Sequence, residues 1–183
     1  TYVFTVTSTD SDGNISLESN QLSIKIDTIA PTQPIITTVT NITNNNAPTI
    51  EGTAEAGSTV TLFIDNVSSN ITTLVNNDGS FSITSTELSD NSYSFTVTST
   101  DPAGNISIAS SSKVIEIDTN APIKPTITTI TSVTNNNTPT LEGTAEADSI
   151  ITLYIDGNNS NVTTITDSNG DFSITSNELS DNI

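Results

Sequence analysis

Residues 1–92 align with residues 92–183 without a gap, at an offset of 91, and 56 of the 92 pairs are identical. "FTVTSTD" at Phe4–Asp10 returns at Phe95–Asp101, and "EGTAEA" at Glu51–Ala56 returns at Glu142–Ala147. "IDT" (Ile26–Thr28), "FSIT" (Phe81–Thr84) and "ELSDN" (Glu87–Asn91) keep the same spacing. A period of this length is too long for helical solenoids or propeller blades, and it suits a sandwich domain of about 100 residues. The unit of folding is therefore the repeat.

Within the central copy, apolar residues alternate with polar ones. Val60/Leu62/Ile64, Phe81/Ile83, Tyr93/Phe95/Val97 and Ile115/Ile117 each turn one face inward at period two. Thr, Ile and Val dominate these runs, and such branched side chains fit a pleated, half-buried surface. The pattern predicts strands near Ile35–Thr40, Thr49–Glu55, Thr59–Asp65, Ile71–Val75, Ser80–Thr84, Tyr93–Thr100 and Ile106–Asp118. Turn signals separate them: "NITNNNAP", "EAGS", "NVSSN", "NNDG", "LSDN" and "DPAGN". The expected fold is all-β, a tandem of seven-stranded immunoglobulin-like β-sandwiches in end-to-end array. Its core is expected to hold Leu62, Ile64, Phe81, Ile83, Phe95, Val97 and Ile117. Tyr93 opens the sixth strand, either as a corner tyrosine bonded to upstream backbone or as a plain core aromatic.

The phase of the repeat divides the chain. Linkers at Asp27–Pro34 and Asp118–Pro125 leave 28–118 as a complete repeat. Residues 1–27 are then the last two strands of a preceding repeat, and 119–183 the first five strands of a following one. A lone hairpin is marginal in water, and five strands of seven leave sheet edges bare. The expectation is a window on a longer chain. The alternative is a filament or sheath subunit, in which residues 1–27 of one copy complete 119–183 of the next by strand complementation.

Charge narrows the function classes. Twenty-one acids stand against Lys25, Lys113 and Lys124, with no Arg or His, for a net charge of −18. Nucleic-acid binding needs clustered cations and is excluded as an expectation; docking on anionic membrane is disfavoured on the same ground. No run approaches the ~20 apolar residues of a membrane helix, so no membrane insertion is expected. Without Cys, neither disulfides nor zinc–thiolate sites are available. Lacking His, Cys and Arg, the chain is short of the usual nucleophile–base–orienter sets, and no enzyme activity is expected. The N-x-S/T triplets at Asn14, Asn41, Asn66, Asn70, Asn105 and Asn161 are what chance yields in a chain this rich in Asn, Ser and Thr. The abundant carboxylates either keep an exposed polymer soluble or bind divalent cations.

The segments "IDTIAPTQP", "APTIEGTAEAGSTVTLFID", "DGSFSIT" and "ELSDNSYSFTVTSTDPAGN" resemble the bacterial immunoglobulin-like repeats of giant biofilm-associated and type I-secreted surface adhesins. Its marks are the "D-T-x-A-P" linkers at Asp27–Pro31 and Asp118–Pro122, the "G-T-A-E-A" turn and the "T-D-x-A-G-N" turn. The first copy departs from the last of these, with Asp12 where Ala103 stands in the second. The resemblance implies export to the cell surface, many repeats, and calcium between them. Neighbouring repeats are the implied partners, with a host or matrix receptor that the sequence does not identify. A lectin-like binding module is disfavoured, because the turns are short, free of Trp and nearly identical between copies.

Strand parity suggests where calcium would sit. Antiparallel steps carry the chain in at one end of a seven-strand sandwich and out at the other. Turns after strands two, four and six then share the entry end. They hold Glu55, Asp78 and Asp101 to Asn105, and Asp27 arrives there from the preceding repeat. The equivalent junction at Asp118 would use Glu146 and Asp148. The expected ligands are Asp27, Glu55, Asp101, Asn105, Asp118 and Glu146, supplemented by carbonyls and water toward the ~6–8 oxygens calcium takes. The competing reading is local: Asp101 caps its own type I turn, and Asp27 caps the linker.

Overall fold

The computed structural model describes residues 1–180, so the last three residues of the 119–183 segment lie outside the described residues. Packing separates two compact units, the first from Thr1 to Thr119 and the second from Asn120 onward.

In the first unit, β1 (Tyr2–Phe4) and β2 (Leu22–Ile24) pair with each other in a two-stranded antiparallel sheet. The central repeat then builds two facing sheets. One contains β3 (Ile35–Ile36), β5 (Thr49–Thr53) and β8 (Ser80–Thr84), in that order. The other runs β4 (Ile42–Thr43), β10 (Lys113–Ile117), β9 (Asn91–Thr100), β6 (Thr59–Ile64), β7 (Val67–Leu74). Ile50, Phe81 and Ile83 of the first sheet meet Val60, Leu62, Phe95, Val97 and Ile115 of the second in one buried cluster. Each is an inward residue of an alternating run, so the period-two pattern translates directly into the core.

The repeat has eight strands, not seven. The run expected at Ile35–Thr40 breaks after two residues: β3 stays on the first sheet, and β4 crosses to the second, where it lies parallel to β10. Thr38 marks the break, its hydroxyl receiving the Glu51 N–H at 2.7 Å in place of a ladder carbonyl. The last expected strand is shorter than 106–118; only Lys113–Ile117 forms a ladder, and Ile106 makes an isolated bridge to Thr100. Ile64, expected in the core, is only partly buried and packs against the cluster from its edge.

Only the first residue of "NVSSN", Asn66, belongs to the turn. The chain reverses two residues earlier than that pattern suggested, at Asp65 and Asn66, whose φ values of 50° and 66° are left-handed. A two-residue loop of this hand matches the strand twist, and Asp and Asn adopt it at low cost. Ser68 to Asn70 then lie inside β7, where the register shifts opposite Thr61/Phe63 and the Ser69 hydroxyl donates to the Leu62 carbonyl at 2.7 Å. Tyr93 is half-buried against the core, and its hydroxyl meets that of Ser89 at 3.1 Å, a side chain where a corner tyrosine would use backbone.

The second unit repeats the first half of this plan. β11 (Thr126–Ile127), β12 (Thr140–Thr144) and β15 (Asp171–Thr175) form one sheet, and β13 (Ile150–Ile155) with β14 (Asn158–Ile165) another. Its smaller core is Leu153, Phe172 and Ile174.

Candidate functional site

The segment Asp101–Asn105 is a turn that builds itself. Gly104 N–H donates to the Asp101 carbonyl at 3.1 Å, and Asp101 N–H to the Asn105 carbonyl at 3.0 Å. Asp101 Oδ1 accepts the backbone N–H groups of Ala103 (2.9 Å) and Asn105 (2.8 Å), while Oδ2 accepts Asn105 Nδ2 at 2.8 Å. Gly104, at φ +94°, supplies the left-handed step that returns the chain to the ladder. These donors favour the ionised carboxylate. The Asn105 side-chain amide is the largest cause holding the Asp101 carboxyl below its ordinary value, and turn N–H groups add to it.

The same turn stands at Asp10–Asn14, with Asp12 in the place of Ala103. There Asp10 Oδ1 accepts Asp12 N–H at 3.0 Å and Asn14 N–H at 2.8 Å, and Asp10 is likewise lowered, chiefly by Asn14. The side chain at the third position is therefore immaterial to the turn, because only its N–H is used.

In the central copy the turn also makes a bond across 78 positions. Asn105 Nδ2 donates a second time, to the carbonyl of Asp27 at 3.2 Å. One amide thus ties the residue that closes the 1–27 segment to the Asp101 turn of the next repeat. The Asp27 carboxylate is spent locally: Oδ1 accepts Ile29 N–H at 3.2 Å, and Oδ2 pairs with Lys25 Nζ at 3.2 Å. A few residues on, Gln33 Nε2 donates to the Ala109 carbonyl at 2.6 Å, and Pro31 and Pro34 are buried. The linker is therefore docked along the central repeat.

Of the six expected ligands, Asp27, Asp101 and Asn105 meet at one point. Glu55 is exposed and contributes its carbonyl, which takes the Ser58 N–H and hydroxyl at 3.1 and 2.6 Å. Asp118 closes the first unit with its N–H on the Thr43 carbonyl at 3.0 Å. Glu146 lies in the second unit, its carbonyl receiving the Thr166 hydroxyl at 2.6 Å. Asp78 caps its own turn through Ser80. Among the described residues no three acidic side chains gather closely enough to hold an ion by carboxylates alone. What converges is one carbonyl and one carboxylate on the Asn105 amide N–H groups, which satisfy both oxygens; two such oxygens are suited in kind to a hard cation but far short of calcium's usual number.

Residues 36–119 match the bacterial Ig-like domain family. This match falls on the repeat that the 91-residue period isolates, and the all-β, Ig-like fold read from the sequence holds there. Comparison with curated proteins returns no match. Among solved structures, a biofilm-associated protein BSP domain aligns at 20% identity over 81% of this chain and 25% of that one, with a TM-score of 0.33. A Bacteroides ovatus SGBP-B from a mixed-linkage glucan utilization locus, in complex with a mixed-linkage heptasaccharide, aligns at 14% identity over 94% of this chain and 50% of that one, TM-score 0.32. A protease structure aligns at 22% identity over 48% and 18% of the two chains, TM-score 0.29. The chain spans half or less of each of these solved chains.

Proposed function

We propose that this chain is a stretch of structural spacer repeats from a large bacterial cell-surface adhesin, extending a distal adhesive region for cell adhesion or biofilm formation. The observation that carries the reading is the gapless 91-residue repeat centred on a bacterial Ig-like match. A repeated copy has no need of its own ligand, whereas a spacer gains reach with every copy. The acidic surface agrees with export as a crowded, soluble polymer, and the lack of His, Cys and Arg agrees with a non-enzymatic role.

In this reading the joint at Asp27 sets stiffness. The buried prolines and the Asn105 amide hold the linker, and calcium would take the place of the amide N–H bonds as a stronger tie. Its protein ligands would be the Asp27 carbonyl, the Asp101 carboxylate and, with the amide turned over from its present donor orientation, the Asn105 side-chain oxygen, with water completing the shell. The ion would supply only cross-linking charge.

The experiment is small-angle scattering from polypeptides of two, four and six repeats, with calcium and with chelator. Strands of about 8 residues at about 3.3 Å each, plus loops, give roughly 35–45 Å per repeat. The longest dimension is expected to grow by that amount per repeat, and calcium to narrow its spread. A compact distribution that does not lengthen with repeat number refutes the spacer. Lengthening that ignores calcium removes the ion and leaves the amide joint.

A further inference from the structure

The complete central repeat brings its entering and leaving segments side by side. β4 lies at the edge of the larger sheet and pairs there with β10, the last strand of the repeat. The two run parallel, with Glu116 beside Ile42 and Ile117 beside Thr43. Glu116 N–H donates to the Asn41 carbonyl at 2.8 Å, and Asp118 N–H to the Thr43 carbonyl at 3.0 Å. At the other end of β10, Lys113 Nζ donates to Asn41 Oδ1 at 2.7 Å and to the Val39 carbonyl at 3.3 Å. A charged donor makes such bonds stronger than neutral ones. The lysine thus fastens the crossover between β3 and β4 to the strand that ends the repeat.

The direction of these strands decides how the repeat meets tension. A pull on the chain before the repeat passes through the linker and β3 to residues 37–41, and reaches β4 at its first residue. The opposing pull enters β10 at its last residue. Because the strands are parallel, the two pulls slide them past each other along one axis. Bonds in a parallel ladder are evenly spaced, so they carry such a load together. Strands drawn apart from a shared end give way one bond at a time. β10 is secured on its far side by β9, from Lys113↔Phe95 to Ile117↔Asn91, and by burial of Ile115 and Ile117. β3, which meets the pull first, has a two-residue ladder to β5 and the Thr37 N–H on the Glu51 carbonyl at 2.8 Å. β4 is as short, but its ties are loaded in their strongest direction and reinforced by a side chain.

We propose that β4 and β10, fastened by Lys113, form a shear clamp that sets the force at which the repeat opens. The fastening varies from copy to copy. Leu22 stands 91 positions before Lys113, and Ser132 stands 91 positions after Asn41. The preceding copy therefore lacks the donor and the following one lacks the amide acceptor, which grades the clamp along the chain. That the repeat bears load in its setting rests on the spacer reading. The clamp is a property of the repeat itself, so pulling on it and scattering from linked repeats fail independently.

The test is single-molecule force spectroscopy on the full 183-residue chain, attached through introduced cysteines because the chain has none of its own. One pair, Ala30→Cys with Ala121→Cys, pulls across the repeat from its two ends. A second pair, Asn44→Cys with Ala121→Cys, draws β4 and β10 apart from the end they share. All three positions are exposed. Forced opening reads the unfolding rate, and with the bonds loaded together the first geometry is expected to need about twice the force of the second, or more. Its event is expected to lengthen the chain by roughly 250–300 Å, the reach of the residues between the handles less their folded span. Lys113→Met keeps the stem and loses the donors. It is expected to lower the force in the first geometry and leave the second unchanged. Equal forces in the two geometries overturn the proposal. So does a Lys113→Met chain that loses force in both geometries, which marks general destabilisation, or in neither.

Discussion

Gly52→Ala is expected to destabilise the first unit by about 1–3 kcal/mol, the cost of forcing extra volume into a packed core. Gly52 sits in β5 opposite Phe81, whose ring crowds it: a Cβ added there would fall 2.5 Å from Cζ and 2.7 Å from Cε1. It would also strike the Ile35 carbonyl. Neither neighbour is free to retreat. Phe81 is buried in the central cluster, and Ile35 is held by the pairing of β3 with β5. If β3 yields, its short ladder goes with it, at about 0.5–1.5 kcal/mol per hydrogen bond. Against these costs stands only the entropy that Ala removes from the unfolded chain, about 0.4–1 kcal/mol. The sign is therefore decided by contact. The assay is urea denaturation of the 183-residue chain followed by circular dichroism, with a double-mutant cycle through Phe81→Leu. The smaller side chain is expected to recover the part of the loss owed to the ring and leave the part owed to the Ile35 carbonyl. A Gly52→Ala chain as stable as wild type, or more stable, refutes the close-approach argument. Gly143 repeats the arrangement against Phe172 and the Thr126 carbonyl, so Gly143→Ala tests it again in the second unit.

Phe95→Ala, at a fully buried position, is expected to cost about 3–5 kcal/mol in the same assay; a loss below about 1 kcal/mol would place the core elsewhere. Asn105→Ala is expected to move the Asp101 carboxyl back toward its ordinary value, read by NMR titration, and to release the Asp27 linker, read as faster amide exchange at Thr28–Ile29; an unmoved Asp101 titration contradicts the assignment of cause. Asp10, Asp78, Asp101 and Asp167 are all held below the ordinary value of 3.8 by hydrogen bonds of their own turns. Their stabilising contribution is thus complete above that value and is lost as the pH falls through their lowered folded values. Stability is expected to be level near neutrality and to drop only in acid, and a thermal melt series that drops between pH 7 and pH 5 would contradict this.

Much of the fold was legible because repetition and period-two alternation are local properties of the chain. The pairs Val60/Leu62, Phe81/Ile83 and Phe95/Val97 declare an inward face whatever the remainder does, and all six are buried. The Asp101 turn was legible for the same reason, since an Asp at the first position and a Gly at the fourth satisfy each other within five residues. What sequence left open were choices made between distant segments. The first strand divides between two sheets because Thr38 turns its hydroxyl to Glu51 and β10 offers an edge to Ile42 and Thr43, and no pattern within residues 35–43 encodes that edge. The reversal at Asp65–Asn66 shares only Asn66 with the polar run "NVSSN" that marks it in sequence, and Asp156–Gly157 in the other copy carries the stronger turn signal. At the joint, strand parity brought Asp27 near Asp101 and Asn105 but also enlisted Glu55, whose side chain points away into solvent exposure while its carbonyl serves Ser58. Sequence by itself determined the repeat, the sandwich and its inward faces, because these follow from periods of 91 and of two residues. Only the tertiary structure decided which atom reaches Asp27, because a hydrogen bond across 78 positions depends on where two sheets place their ends.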